Sequence, residues 1–147
     1  MRRLSVLLGA GTLLIALAAP AAASSPTSTT IVLVRDSQFN EIGWSATGSF
    51  SDSGSWTSDF RQSGALPSPV AFQTILKTTE TSALGTFRIE FQGHFNLPAG
   101  HDFGGTWVIT QGTGAYAALH GGGTWSEADD ANTGNLVFTL VGAVHFD

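Results

Sequence analysis

The sequence predicts an all-β protein, a single small antiparallel β-barrel of about eight strands. After the N-terminal segment, no window of about 12 or more residues shows the periodicity of an amphipathic helix. Apolar and polar residues instead alternate over short segments, most clearly in FRIEFQ at residues 87–92. A glycine, a hydroxyl residue and an aromatic residue also follow one another at Gly48-Ser49-Phe50, Gly54-Ser55-Trp56, Gly85-Thr86-Phe87, Gly105-Thr106-Trp107 and Gly123-Thr124-Trp125. Because glycine permits bends and an aromatic side chain fills the space inside them, this pattern indicates a barrel rather than a flat sheet.

The N-terminal segment has the features of a secretory signal peptide, residues 1–23. A basic start, MRR, precedes an apolar run from Leu4 to about Ala19, and small residues follow up to Ala23. The run is shorter than the roughly 20 residues of a membrane-spanning helix. We therefore expect cleavage near Ala23, secretion of the mature protein, and no membrane segment after cleavage.

The mature chain is predicted to have a flexible leader, residues 24–30, and one barrel domain, residues 31–147. The leader is rich in Ser, Thr and Pro, which is typical of unstructured termini. With no cysteine, the barrel must be stabilised by burial, and ten Phe, four Trp and one Tyr supply the apolar surface. Beyond the signal peptide, four basic residues stand against eleven acidic ones, a formal net charge of −7. Such a chain repels phosphate backbones, so nucleic acid is excluded as a partner.

Individual strands can be placed in order along this domain. Predicted strands cover residues 31–34, 70–78, 87–92 and 136–146, and predicted turns or loops cover 64–69, 96–100 and 127–134. Phe72, Thr74 and Leu76 share one face of their strand, as do Leu136, Phe138, Leu140, Val144 and Phe146 of the last one. In the FRIEFQ segment, the aromatic and aliphatic side chains are predicted to point inward and the polar ones to face water.

Residues 104–125, GGTWVITQGTGAYAALHGGGTW, form the corner around which these strands are arranged. Gly112, Thr113, Gly114 and Gly121 are predicted turn residues, and Tyr116 with Leu119 would pack on one face of a single short turn. The segment also fits the G-x-G-x-x-[GA] fingerprint of dinucleotide-binding proteins. That fingerprint needs a full helix to present its N-terminus to the pyrophosphate, and three consecutive glycines end any helix here. We therefore interpret it as a structural turn and predict no cofactor.

The same segment resembles the allene oxide cyclase barrel-like, or dirigent-like, superfamily, including its bacterial secreted members. Members carry a G-G-T-G-x-[FY] motif, which this chain matches at Gly112, Thr113, Gly114 and Tyr116, with Gln111 in place of the first glycine. The terminal VHFD also resembles the closing strand of the bacterial members. The resemblance implies a calycin-like, eight-stranded antiparallel barrel with an apolar cavity, and it implies a homo-oligomer. The catalytic residues of the plant families do not map onto this sequence, so their activity does not carry over.

No metal site is predicted. The four histidines, His94, His101, His120 and His145, form no H-x-H or H-x-x-x-H pair. His101 followed by Asp102 could act as a general base only if both lie in a loop, since neighbours on a strand point to opposite faces. The Asp129–Gly134 segment lacks the spacing of a calcium loop, which favours an ordinary hairpin turn.

The barrel interior is the remaining candidate site. The residues predicted to line it are Trp107, Tyr116, His94, Phe91 and Phe138. The first hypothesis is that the barrel binds a small apolar or aromatic molecule without catalysis. The second is a dirigent- or cyclase-like isomerase, which would need a polar group among the aromatic side chains, with Tyr116, His94 or Asp102 as candidates. The third is an extracellular interaction protein with a solid barrel, which meets its partner through loops or outer sheet.

Overall fold

The computed structural model describes residues 25–65, 71–96 and 102–147, and they form a closed barrel of eight antiparallel strands. The strands are β1 (Thr27–Arg35), β2 (Glu41–Thr47), β3 (Asp52–Ala65), β4 (Ala71–Ser82), β5 (Gly85–Asn96), β6 (Asp102–Gly112), β7 (Leu119–Asp129) and β8 (Leu136–Phe146). One 3-10 helix, Gly114–Tyr116, connects β6 to β7. The predicted all-β class and the eight-stranded antiparallel barrel are confirmed. No helix among the described residues is long and apolar enough to cross a membrane.

Each strand pairs with the next one in sequence, and β1 closes the barrel by pairing with β8. The closing register runs from Thr27 opposite Val144 to Arg35 opposite Leu136. A closed barrel has no edge strand with unpaired N–H and C=O groups, so it presents no template for further strand addition.

The inner face follows the predicted alternation. Phe87, Ile89 and Phe91 of β5 are buried, and their polar neighbours face outward. The other buried apolar residues come from the seven remaining strands and include Ile31, Leu33, Trp44, Trp56, Leu76, Trp107, Ile109, Trp125, Phe138, Leu140 and Val144. They make one continuous core along the barrel axis.

Glycine and tryptophan face each other across neighbouring strands. Trp107 lies opposite Gly123, and Trp125 lies opposite Gly105. A Cβ at Gly105 would overlap the carbonyl oxygen of Gln92, so the strands approach too closely there for any side chain. The indole Nε1 of each tryptophan donates a hydrogen bond to a backbone carbonyl oxygen, for example from Trp125 to Gln92 at 3.2 Å. The recurring glycine and aromatic residues therefore build the strongly curved inner wall.

The predicted leader and one predicted turn residue are wrong. Residues 27–30, assigned to the flexible leader, lie in β1, because β8 needs a partner there to close the barrel, and Thr29 is buried. Gly121 is not a turn residue: it lies in β7 opposite Val144, where a Cβ would come within 2.7 Å of the neighbouring backbone. The missing side chain lets β7 pack directly against β8.

The predicted acidic loop at residues 127–134 is shorter than expected, because β7 continues to Asp129. The turn is closed by a hydrogen bond from the Asp130 N–H to the Asn135 carbonyl at 2.8 Å. The turn predicted at 96–100 and the loop predicted at 64–69 begin later than expected, because β5 continues to Asn96 and β3 continues to Ala65. The rest of that turn and loop, the signal peptide and His101 lie outside the described residues.

Candidate functional site

Glu80 is an acidic residue buried in the barrel interior. The inner face of β4 continues from Leu76 through Thr78 to Glu80, and the Glu80 side chain is fully buried, at 0% exposure. Its cross-strand neighbours are Trp56 on β3 and Phe87 on β5, both also buried. A carboxyl group is thus placed between two aromatic residues inside the barrel.

Only one oxygen of this carboxyl group has a partner among the described residues. The Thr78 hydroxyl donates to Glu80 Oε1 at 2.6 Å, whereas Glu80 Oε2 is buried and accepts or donates no hydrogen bond. Burial raises the pKa of Glu80 to about 8, against the opposing effect of the Thr78 hydrogen bond. The group is therefore a neutral acid at pH 7, with a proton to donate.

A cluster of aromatic rings lies next to this position. Phe138 lies 6.2 Å from Trp56, 6.4 Å from Phe91 and 6.1 Å from Trp125, measured between ring centroids. Most of these contacts are edge-to-face, the geometry that aromatic pairs prefer. Arg35 covers the cluster at the end of β1, with its guanidinium carbon 4.7 Å from the Trp56 ring centroid.

Arg35 is itself held in place by polar contacts. Its Nη2 donates to Glu41 Oε1 at 3.2 Å and also to the Ser58 hydroxyl. The pKa of Glu41 is lowered: burial opposes this shift, and the hydrogen bond from Ser58 and the charge of Arg35 outweigh it. In this aromatic cluster, the Arg35 cation therefore lies over the Trp56 ring, and the neutral acid Glu80 lies opposite Trp56 on the neighbouring strand.

The other end of the barrel is closed by Tyr116. Its ring is buried, 5.1 Å from Phe87 and 5.6 Å from Phe50 between centroids. The Tyr116 hydroxyl donates to the Asp52 carboxylate and lies 3.4 Å from the Ser82 hydroxyl. Burial, followed by the hydrogen bond to Asp52, raises the pKa of the phenol. The pKa of Asp52 is lowered by its hydrogen bonds with Ser82 and Tyr116.

The turn before Tyr116 depends on glycine. Gly114 has φ of +60°, a conformation that favours glycine, and a Cβ at Gly112 would overlap the Tyr116 carbonyl oxygen. Thr113 lies between them, and its side-chain oxygen accepts the Thr86 N–H at 3.1 Å. These residues position the Tyr116 ring under the end of the barrel.

The structure brings together three of the five residues predicted to line a site. Phe91 and Phe138 contact each other beside Trp125, and Trp107 lies on the inner face opposite Phe91. Tyr116 is buried at the barrel end described above. His94 lies on β5, but its side chain, like that of Asp102, is outside the described part of the structure.

Neither Glu80 nor Arg35 was predicted to lie in the barrel interior. The alternation from Leu76 through Thr78 would have placed Glu80 on the inner face had the strand been extended by two residues. No such pattern indicates that Arg35 is buried. It follows the apolar IVLV segment, and a charged residue at the end of a strand is usually solvent-exposed. Its packing over Trp56 depends on the pairing of β1 with β2 and on the bulge between Val34 and Arg35.

The Asp129–Gly134 segment is a hairpin turn held by its own side chains. Asp130 accepts from the Asn132 N–H at 2.9 Å and from the Thr133 hydroxyl at 2.8 Å. A shallow depression of about 250 Å³ lies elsewhere on the outer wall, lined by Thr79, Thr86, Phe87, Arg88, Gln111, Gly112 and Thr113. Arg88 in this depression is paired with Asp59 at 3.0 Å.

No family model, curated protein or solved structure matches this chain. The resemblance to allene oxide cyclase-like barrels therefore stays a prediction from the residues of the β6–β7 turn and the last strand.

Proposed function

We propose that this protein is secreted and binds a small apolar or aromatic molecule inside its barrel, with the Glu80 carboxyl as the polar contact. The observation that carries this proposal is the buried Glu80 Oε2 atom without a hydrogen-bond partner. A buried polar atom left unpaired costs about 1–3 kcal/mol, so such atoms in folded proteins call for an explanation. A bound molecule with one polar oxygen would satisfy it.

The surroundings of Glu80 restrict the chemistry of this ligand. Because the raised pKa keeps the carboxyl protonated, Glu80 would donate to a carbonyl, ether or hydroxyl oxygen. The remainder of the ligand would contact aromatic rings such as Trp56 and Phe87, which favours an aromatic or unsaturated body. An anionic group beside Glu80 is disfavoured, since burial already penalises charge there.

Native mass spectrometry of the mature protein, purified from secretion medium without refolding, tests this proposal. We expect the wild-type protein and Glu90→Gln, a control on the outer face of β5, to retain the same small molecule. Glu80→Leu should lose it, because leucine maintains the apolar core and removes the polar contact. A wild-type protein that carries no adduct and does not bind the neutral probe N-phenyl-1-naphthylamine would contradict ligand binding.

The pKa of Glu80 favours catalysis as a second candidate function. A neutral carboxyl inside an apolar site can donate a proton to a bound oxygen, as a general acid does in isomerisation. If the retained molecule is converted by the wild-type protein, Glu80→Gln should stop the conversion and still bind. Equal turnover by both proteins would exclude Glu80 as the acid.

The outer wall supports an association of the protein with a second copy of itself. Sixteen outward positions on β6, β7, β8 and β1 contain no Asp, Glu, Lys or Arg: Gly104, Thr106, Val108, Thr110, Gly122, Thr124, Ser126, Ala128, Val137, Thr139, Val141, Ala143, Ser28, Thr30, Val32 and Val34. Val108 and Val141 are 46% and 47% exposed. The ion pairs Lys77–Glu90 and Asp59–Arg88 lie instead on β3, β4 and β5.

A second copy of the same chain is the partner that we propose for this wall. Each mature copy has a formal net charge of −7, so two copies repel each other except where a charge-free surface lets them approach. We expect the wild-type protein to be a homo-oligomer and Val141→Asp to shift it toward monomer. Gln92→Asp, on the charged side of the barrel, should leave the mass unchanged. A wild-type protein that is monomeric by light scattering at about 100 μM would refute this association.

A further inference from the structure

Two histidines that are distant in sequence lie side by side on the outer face of the barrel. His120 on β7 is directly opposite His145 on β8, with ring centroids 5.9 Å apart and ring planes inclined by 32°. Both imidazoles face the carboxylate of Asp147: His120 Nε2 lies 3.4 Å from Oδ2, and His145 Nε2 lies 3.2 Å from Oδ1. The backbone N–H of Asp147 is anchored by a 3.0 Å hydrogen bond to the Ala118 carbonyl.

We infer that His120, His145 and Asp147 bind a divalent late first-row transition metal ion, such as Zn²⁺ or Cu²⁺. Two ligands of one such ion, each about 2.0–2.2 Å from it at tetrahedral or octahedral angles, lie about 2.9–3.5 Å apart. Both nitrogen-to-oxygen distances in the cluster fall within this range. Each imidazole is therefore already spaced from the carboxylate as two ligands of one ion would be.

The donor set determines the class of metal. Two imidazole nitrogens and a carboxylate suit zinc, copper and nickel, whereas calcium and magnesium prefer oxygen ligands alone. The chain has no cysteine to select a thiophilic ion. Sequence spacing could not reveal the site, because the two histidines are 25 positions apart and only the pairing of β7 with β8 brings them together.

Binding requires a small rearrangement of side chains. Among the described residues, no three His, Asp or Glu side chains already converge on a common point as a ready-made metal site. The His120 and Asp147 side chains are 54% and 52% exposed, so they can rotate toward a shared ion without disturbing the core. The strand pairing already holds the two histidine Cα atoms close together. Binding of the ion would replace the present contacts of the two imidazoles with the two Asp147 carboxylate oxygens. The ion would then link β7 to β8 through His120 and His145.

Isothermal titration with ZnCl₂ at about pH 7.5, on protein without a histidine tag, tests this inference. We expect one ion per chain with a dissociation constant in the micromolar range. His120→Gln and His145→Gln should each weaken binding by about tenfold or more. His94→Gln, which removes a histidine on β5, should bind as the wild-type protein does. Circular dichroism of each variant checks that the exposed substitutions leave the barrel folded.

Electron paramagnetic resonance with Cu²⁺ gives a second readout of the same site. The wild-type spectrum should show coupling to two imidazole nitrogens, and each of the two histidine variants should show one fewer. Asp147→Asn should weaken Zn²⁺ binding and preserve the two-nitrogen coupling. The inference is overturned if the wild-type protein shows no saturable binding below about 1 mM Zn²⁺, or if His94→Gln weakens binding as much as His120→Gln does.

Discussion

Replacing Glu80 with glutamine tests the state of the interior carboxyl most directly. Glutamine has nearly the same shape and cannot ionise. In the folded protein burial raises the pKa of Glu80 to about 8, from an ordinary value of 4.5. Between these two pH values the folded state holds a proton that the unfolded state has lost, so the free energy of unfolding falls as the pH rises. The contribution is fully present below about pH 4.5, and no further loss occurs above about pH 8.

The size of the effect follows from proton linkage. One proton bound in the folded state alone gives a slope approaching about 1.4 kcal/mol per pH unit. From about pH 5 to pH 7, wild-type stability should therefore fall by about 2–3 kcal/mol relative to Glu80→Gln. All other ionisable groups are the same in both proteins, so their contribution cancels in the difference. Urea unfolding, followed by tryptophan fluorescence in half-unit steps from about pH 5 to 8.5, measures it.

Glu90→Gln is the matched control. Hydrogen bonds with Lys77 and Gln92 lower the pKa of Glu90 from its ordinary value of 4.5, so from about pH 6 upward this carboxyl is ionised in both states. Its replacement should shift the stability curve and leave its slope unchanged. If the wild-type and Glu80→Gln curves run parallel from about pH 5 to pH 8, Glu80 is not a neutral acid. The proposed hydrogen bond from Glu80 to a ligand would then lose its basis.

Three further substitutions and one control substitution test the packing around the site by urea unfolding at about pH 5. Tyr116→Phe removes the hydroxyl that donates to Asp52 and should lower the free energy of unfolding by about 1–2 kcal/mol; no loss would mean that this hydrogen bond is exchanged freely for water. Thr78→Val removes the hydroxyl that donates to the buried carboxyl and should lower the free energy of unfolding by about 1–3 kcal/mol. An unchanged free energy of unfolding would show that the carboxyl finds another hydrogen-bond partner. Gly112→Ala places a Cβ on a backbone oxygen and should lower the free energy of unfolding by more than about 3 kcal/mol. The control Gly64→Ala has open space around the added Cβ and should change the free energy of unfolding by less than about 0.5 kcal/mol. Equal effects of the two alanine substitutions would contradict the close approach at the turn.

Local patterns predicted much of the barrel wall. The alternation in FRIEFQ correctly placed Phe87, Ile89 and Phe91 inside, because side chains on a strand point to opposite faces in turn. The same rule failed at residues 27–30, where Ser and Thr give no contrast between the two faces. Their strand partner, β8, lies more than 100 residues later in the chain. No local signal could show that this polar segment closes the barrel.

For the candidate sites as well, the sequence predicted features that depend on nearby residues and did not predict contacts between distant strands. Aromatic residues were expected in the interior from their number and spacing, and the structure places Phe91, Trp107 and Phe138 there. Glu80 was missed because a charged residue after a run of threonines is usually solvent-exposed. Its burial follows from the position of β4 between two strands that each present an aromatic side chain at that level.

The sequence by itself determined the strand class, the tight turn before Tyr116, and which side chains share a face on β4, β5 and β8. These features depend on residues a few positions apart, where backbone geometry is the main constraint. Only the tertiary structure decided which residues meet across strands, including Trp56 with Glu80 and His120 with His145. Cross-strand contacts depend on register, which turn lengths, bulges and barrel closure set together. A shift of one residue in any pairing would separate the groups on which the proposed interior site and the proposed metal site depend.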